Sequence, residues 1–505
     1  MMKIKILENE KWYGGQTWRG FQQPFDSSSD TFMDCEGVGG NQLNPIMLSS
    51  EGRYFYCPKG FSVKFEKGEM TVESKHGDVL FHEGLSDLRT AFNDAKDRYF
   101  PAGGVLPPEE FFSKPQINSW IERMYDQNQE DILKYAHGIV DNGFEPGILM
   151  VDDLWNCDYG RWDFDPFKFP DPKAMLDELH SLGFKLLLWI CPYVSPDSRE
   201  YRALFKKGGF VRDPKTDRPR MVLWWNGYSA MLDLTNPVDR EWITEKCRYL
   251  MEKYGVDGFK FDAGDTSSYL DDDITHEPIL PIDQTRLWAE FGTEFPYNEL
   301  RACFKCTNIP TVTRQGDKSH SWDSGLNAIL YNALLQSTLG YCFCCPDMVG
   351  GGLFGDFIEG GKEFDSELFV RFCGVSVLMP MLQFSLAPWR VLSDEELRCI
   401  KSMVAQREEY LPEIMELVRE SAKTGEPALN RLEYYFPHEG LAEVKDQFML
   451  GDSIMVAPCI EKGKTERSVK LPKGTWKAED GTVYEGGTTV TVPAPYDRVP
   501  VLRKI

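Results

Sequence analysis

From residue 114 to residue 410 the chain alternates short apolar runs with stretches of helical periodicity, and most runs stop on a charged or aromatic side chain. Gln116-Ile-Asn-Ser-Trp, Gly147-Ile-Leu-Met-Val-Asp and Phe184-Lys-Leu-Leu-Leu-Trp-Ile read as strands of a parallel sheet covered by helices. Further strand ends fall at Asp257 to Asp262, Asn298 to Arg301, Thr311 to Arg314, Tyr341 to Cys345 and Met381 to Ser385, which brings the count to eight. A helix is marked by Pro172 near its start, by Met175, Leu176, Leu179 and Leu182 on one face, and by Gly183 just past its end. Others are expected over 237–254, 322–339 and 363–377. This count and spacing predict an α/β fold, a (β/α)8 barrel over 114–410.

Such barrels place their active sites at the C-terminal ends of the strands. Here those ends carry Asp152, Asp153, Trp189, Lys260, Asp262, Arg301, Arg314, Asp317 and Asp347. Solvent-facing strand ends tolerate many residue types, so stability does not require such a charged ring, and it is read as functional. In Gly255-Val-Asp-Gly-Phe-Lys-Phe-Asp-Ala-Gly-Asp265 an apolar run ends on Asp262 and turns at once on Ala263-Gly264, which displays that carboxylate at the open end of the sheet.

The flanks have a different texture. Residues 1–113 carry short β-like runs such as Arg53-Tyr-Phe-Tyr-Cys, Ser62-Val-Lys-Phe and Glu69-Met-Thr-Val, broken by Gly and Pro, and predict an antiparallel, sandwich-like β domain. Within it, the aromatic and amide-rich stretch from Lys11 through Gln16 and Trp18 to Phe25 is either a loop packed on the next domain or one facing a ligand. Pro101-Ala-Gly-Gly-Val-Leu-Pro-Pro marks the boundary. Residues 411–505 predict a helix at 411–421 and then a second β-sandwich, with turns at Pro472-Lys-Gly and Asp480-Gly.

Composition narrows the partners. A formal net charge of −23 excludes a nucleic-acid groove or an anionic membrane surface, both of which need clustered Lys and Arg. No apolar run is long enough to span a bilayer, and Met1-Met-Lys-Ile-Lys-Ile-Leu-Glu lacks the apolar core of a signal peptide, so a soluble cytoplasmic protein is expected. The 13 cysteines have no paired spacing and read as reduced packing residues. The seven histidines form no zinc motif and no cofactor is expected; a carboxylate-only site for magnesium or calcium stays open at Asp152-Asp153 or Asp271-Asp272-Asp273.

Several stretches, in their order and spacing, carry a resemblance to glycoside hydrolase family 31, the retaining α-glycosidases. They are Trp12-Tyr-Gly-Gly-Gln, Val151-Asp-Asp-Leu-Trp, Phe164-Asp-Pro-Phe-Lys-Phe-Pro, Leu188-Trp-Ile-Cys-Pro-Tyr-Val, Leu232-Asp-Leu-Thr-Asn-Pro, Phe259-Lys-Phe-Asp-Ala-Gly-Asp, Arg314-Gln-Gly-Asp-Lys-Ser-His-Ser-Trp, Leu339-Gly-Tyr and Pro346-Asp-Met-Val-Gly-Gly. Within the family the chain resembles the branch of the myogenesis-regulating glycosidase and related bacterial α-galactosidases. The resemblance implies that Asp262 is the nucleophile and Asp317 the acid/base. It places Asp152, Asp153, Trp189, Lys260, Arg301 and Asp347 around the sugar, with Trp225 or its neighbour Trp224 in the same wall and Gln16 and Trp18 on a loop that the N-terminal domain lends to the site.

Retention needs one carboxylate to attack the anomeric carbon and another to protonate the departing oxygen, about 5–5.5 Å away. Lys260, two residues before Asp262 and so on the same strand face, is expected to favour its ionised form, and Arg301 to bind a sugar hydroxyl. The starch-type glucosidases of the family have Trp-x-Asp-x-Asn-Glu and Gly-Asp-Asn where this chain has Phe259-Lys-Phe-Asp-Ala-Gly-Asp265 and Gly316-Asp-Lys318, and Cys191 stands where relatives commonly have His. These departures favour a terminal α-galactoside of a small oligosaccharide or glycoside, ahead of α-glucose, α-xylose, an N-acetylated hexosamine or sulfoquinovose. Two other readings stay open: a non-catalytic sugar-binding protein on the same barrel, and a divalent-metal hydrolase using Asp152, Asp153 and Asp347. Nothing in the sequence decides whether the chain self-associates.

Overall fold

Parallel strands form where apolar runs are buried on both faces. In a computed structural model, which describes residues 1–37 and 41–505, the barrel strands are β1 (Gln116–Asn118), β2 (Ile148–Val151), β3 (Lys185–Ile190), β4 (Gly258–Phe261), β5 (Tyr297–Leu300), β6 (Val312–Arg314), β7 (Cys344–Cys345) and β8 (Gln383–Phe384). The (β/α)8 barrel expected from the sequence is the architecture found. The chain divides into two compact units, one of residues 114–304 and one of residues 1–36, 41–113 and 305–505. The first carries β1 to β5 and the second β6 to β8.

In the first unit, β1 to β5 run parallel in sequence order. Register sets which side chains share a level: Trp189 pairs with Lys260, and Lys260 with Glu299. Asp262 lies two residues beyond Lys260 and so projects to the same side, as the period of a strand requires. The intervening helices have clear physical boundaries. Helix Pro237–Tyr254 matches its expected span: Asn236 caps it through the Val238 N–H at 3.0 Å, Pro237 opens it, and Gly255 ends it at φ 88°. Ile243, Cys247, Leu250 and Tyr254 give it one buried face.

Several helices escaped the periodicity reading, among them Gln129–Asp141, Arg199–Lys206 and Pro281–Gly292 in this unit and Leu88–Tyr99 in the other. So did an antiparallel hairpin, Met221–Trp224 with Gly227–Met231, whose loop is Trp225-Asn226. The Asn226-Gly227 dipeptide is the sequence signal for it, since Gly227 takes φ 94° at the turn.

In the second unit the N-terminal domain is antiparallel β, as expected, with one sheet ordered Met2–Lys5, Glu69–Glu73, Ser62–Glu66, Thr31–Asp34. Strand Trp12–Gln16 pairs with Gln42–Ser49 through a register shift at Gly14/Gly15, and a Cβ on Gly14 would lie 2.5 Å from the Ile46 carbonyl oxygen. The C-terminal domain pairs a six-stranded antiparallel sheet with a two-stranded one, enclosing Met449, Met455, Val469, Trp476, Val492 and Leu502. The helix expected at 411–421 is the second half of a longer one, Asp394–Thr424, so the boundary expected at 410/411 falls inside it. Its start is set by a Ser393/Glu396 capping box that the sequence reading passed over. The helix expected over 322–339 begins with a π-helical turn, Trp322–Asn327, before the α-helix Ala328–Thr338.

The 13 cysteines are thiols rather than disulfides and most are buried, consistent with packing residues. Among the described residues there is no group of His, Cys, Asp or Glu suited to a metal ion, and no helix is long and apolar enough to cross a membrane.

Candidate active site

Asp262 follows directly on β4, and its main-chain N–H is anchored to the Ile190 carbonyl at 2.9 Å. The turn beyond it is held in an unusual conformation, with Ala263 at φ 54° and Gly264 at φ 68°. This folds the Ala263 N–H back onto Asp262 Oδ1 at 2.7 Å. Beneath the turn, Trp288 of helix Pro281–Gly292 donates to the Asp262 main-chain oxygen at 3.1 Å. A Cβ on Gly264 would come within 2.8 Å of the Trp288 ring, so the turn needs glycine there for space as well as for φ.

The Asp262 carboxylate is almost enclosed by donors. Oδ1 also accepts from Arg301 Nε at 2.7 Å, Oδ2 accepts from Trp189 Nε1 at 3.0 Å, and Lys260 Nζ stands 3.8 Å from Oδ2. Arg301 itself is clamped by Asp265, with Nη1 and Nη2 donating to the two carboxylate oxygens at 3.1 and 2.9 Å. Burial lowers the Arg301 pKa, but Asp265 and Asp262 more than offset this and leave it above its ordinary value. Two cations and two neutral donors around one carboxylate favour its anion.

A second layer stands beside this clamp. Lys260 Nζ donates to Asp152 Oδ2 at 2.5 Å, so the lysine is shared between two carboxylates. Asp153 accepts from the Leu154 N–H at 2.7 Å, from Tyr159 Oη at 3.0 and 3.2 Å, and from Asn226 Nδ2 at 2.6 Å. Burial, followed by the adjacent Asp152 charge, pushes Asp153 up to about 7. Trp224 packs inward, parallel to Trp189 with centroids 6.4 Å apart, whereas Trp225 is 51 % exposed with the Arg301 guanidinium 5.7 Å from its ring. Of the two tryptophans left open by the sequence, Trp225 meets Arg301 and Trp224 meets Trp189, each a donor to Asp262.

In the second unit, Arg314 ends β6 and is 1 % exposed. Its Nη1 donates to Asp347 Oδ1 at 2.6 Å, and both terminal nitrogens reach Asp317 Oδ1 at 3.0 Å. Asp347 is completely buried and also takes the Lys318 and Gly352 N–H groups at 2.6 and 2.9 Å. Burial raises the Asp347 pKa, against the pull of Arg314. Lys318 is buried too, and desolvation lowers its ammonium to about 8. The N-terminal domain braces this segment: Asn41 Oδ1 accepts from the Gly316 N–H at 2.6 Å, and Gln42 Nε2 donates to the Arg314 carbonyl at 2.7 Å. The Asp317 side chain, by contrast, stays 36 % exposed.

The structure therefore gathers Asp152, Asp153, Trp189, Trp225, Lys260, Asp262 and Arg301 into one network, and Arg314, Asp317 and Asp347 into another. Arg301, expected to hold a sugar hydroxyl, is engaged by two carboxylates. Gln16 is buried, with Nε2 donating to the Asp34 carbonyl and Oε1 without a protein partner, while Trp18 is 41 % exposed beside Arg19. The sequence reading did not place Tyr159, Asn226, Trp288 and Asn41, and noted Asp265 only as a departure. Each of these acts through a partner distant in sequence or through a turn.

Residues 110–417 match the TIM-barrel domain of glycosyl hydrolases family 31, and residues 425–504 match the C-terminal domain of the same family. Over 96 % of its length the chain is 34 % identical to the myogenesis-regulating glycosidase of Mus musculus, of which it spans 73 %. It is 26 % identical to the 1,3-alpha-isomaltosidase of Kribbella flavida across 80 % of the chain and 56 % of that protein. The fold superposes on the family 31 dextranase of Flavobacterium johnsoniae with a TM-score of 0.85 at 18 % identity, covering 100 % of this chain and 66 % of that one. The chain thus spans between about half and three quarters of these relatives. The barrel and the domain that follows it both carry the same signature, and the chain belongs to glycosyl hydrolase family 31.

Proposed function

We propose that the protein is a retaining exo-α-glycosidase that removes a terminal α-linked sugar, an α-galactoside first among the candidates, from a small oligosaccharide or glycoside. The observation that carries this reading is the Asp262 carboxylate, surrounded by donors from Arg301, Lys260, Trp189 and the Ala263 N–H at the end of β4. A nucleophile must be ionised and fixed in direction before it attacks, and these donors favour both. In the proposed first step Asp262 bonds to the anomeric carbon while Asp317 gives its proton to the leaving oxygen; in the second, Asp317 takes a proton from water and the glycosyl-enzyme bond breaks. The exposure of Asp317 suits a group that must meet first the leaving oxygen and then the incoming water.

Galactose is favoured by the departures from the starch-type pattern, Phe259-Lys-Phe-Asp-Ala-Gly-Asp265 and Gly316-Asp-Lys318. The relatives' names span several activities, glycosidase and 1,3-alpha-isomaltosidase among them, so the sugar rests on those residues. The test is a screen of nitrophenyl α-glycosides with purified protein, with the released anomer followed by NMR. Release of α-galactose as the first anomer is expected. A different preferred sugar overturns the galactoside reading, β-anomer release overturns retention, and sugar binding without any turnover supports a non-catalytic protein.

A further inference from the structure

The hairpin Met221–Trp224/Gly227–Met231 presents two unlike faces. On the outer face Leu223 and Tyr228 pair across the strands and are 66 % and 62 % exposed, so packing there does not hold the hairpin. On the inner face Trp224 lies parallel to Trp189, meets Tyr193 edge-on at 4.9 Å and donates to Ser229 at 3.0 Å. The loop beyond it has one polar tether. Asn226 Nδ2 donates to Asp153 Oδ2 at 2.6 Å and to Tyr159 Oη, whose own hydrogen goes to Asp153. The adjoining residue, Trp225, is the one over Arg301.

We propose that Asn226 is a positioning residue: it latches the hairpin tip to Asp153 and Tyr159, holds Trp225 over the guanidinium that grips Asp262, and so sets which sugar the wall accepts. The proposal rests on the glycosidase reading. An amide suits the task because one nitrogen carries two N–H groups, one for the carboxylate and one for the phenol. Asp153 spends both oxygens on such donors, in a site where an unpaired carboxylate is costly. The titratable and charged groups around Asp153 are Asp152, with Lys260 on its far oxygen, and Tyr159, Tyr125 and Cys191.

An aspartate at this position keeps the shape and removes both donors. Two facing carboxylates share one proton, so the latch would close at acid pH and open as pH rises. The experiment uses the full chain and the nitrophenyl α-glycoside that the wild type cleaves fastest. Asn226→Ala is expected to raise KM about tenfold with kcat changed less than about threefold, the loss of one charge-assisted hydrogen bond. It should also narrow the preference between the best and second-best sugars. Asn226→Asp should match the wild type within about threefold at pH 5.5 and fall to the alanine level at pH 8. Acrylamide quenching of tryptophan fluorescence should increase in Asn226→Ala, and the increase should vanish in a Trp225→Phe background. A wild-type KM and sugar preference in Asn226→Ala, or a wild-type pH profile in Asn226→Asp, overturns the latch. If the wild type cleaves no glycoside, the glycosidase reading fails, and the quenching pair still decides the latch.

Discussion

The two proposed catalytic carboxylates are held in opposite ways. The Asp262 side chain is 9 % exposed, with donors on both oxygens and a constrained turn behind it, whereas the Asp317 side chain is 36 % exposed and, among the described residues, only its Oδ1 is gripped, by an arginine shared with Asp347. The contrast matches two kinds of work. A nucleophile acts in one charge state and one direction, so surrounding donors help it. An acid/base must change charge twice in each cycle, and a cage of fixed cations would hold it in one state.

The sharpest way to break this comparison is to neutralise each carboxylate in turn. Asp262→Asn should lower kcat by at least about 10⁴-fold on every glycoside and at every pH, because no other group can form the covalent bond. Asp317→Asn should lower kcat by about 10²–10⁴-fold on glycosides with poor leaving groups, and by much less on nitrophenyl glycosides, whose leaving oxygen needs little protonation. Equal losses on both substrate types, followed in steady-state assays, would remove the distinction between the halves.

Arg301→Lys tests the clamp itself. Lysine keeps the charge but cannot serve Asp262 while holding Asp265 with two parallel bonds, so kcat/KM should fall about 10–100-fold. The expected loss lies mainly in kcat, since a misdirected nucleophile binds substrate and attacks slowly.

The smallest effect concerns stability beside Asp317. Lys318 is depressed to about 8, so the native protein gives up that proton near pH 8 while the unfolded chain keeps it to about 10.4. Native stability from this group therefore rises with pH between those values, and below about 8 the buried ammonium is a burden. Lys318→Met should raise Tm by about 2 °C at pH 7, with the advantage shrinking by pH 10. A pH-independent difference in thermal melts would place the effect in packing instead.

Much of this molecule was legible from pattern. Eight apolar runs, most of them ending at a charged or aromatic residue, give the barrel, because both faces of a parallel strand are buried and its C-terminal end is where the chain turns out. Pro237 and Gly255 set the ends of one helix by their own backbone limits. What periodicity missed has a physical reason. Helix Pro281–Gly292 is buried on several sides, through Ile282, Gln284, Trp288 and Phe291, so it shows no single apolar stripe. The hairpin at 221–231 was announced by Asn226-Gly227, but its strands carry aromatic residues on both faces and hide the alternation.

The sequence by itself determined the family and the barrel, since those are written in local runs and in motif order. Only the tertiary structure decided what the charges do to each other. Arg301 is separated from Asp262 by 39 residues and Asn226 from Asp153 by 73, and parallel register and a turned hairpin bring each pair within hydrogen-bond distance. Whether an arginine meets a sugar or a carboxylate depends on which groups arrive beside it, and that is set by packing between segments that share no local pattern.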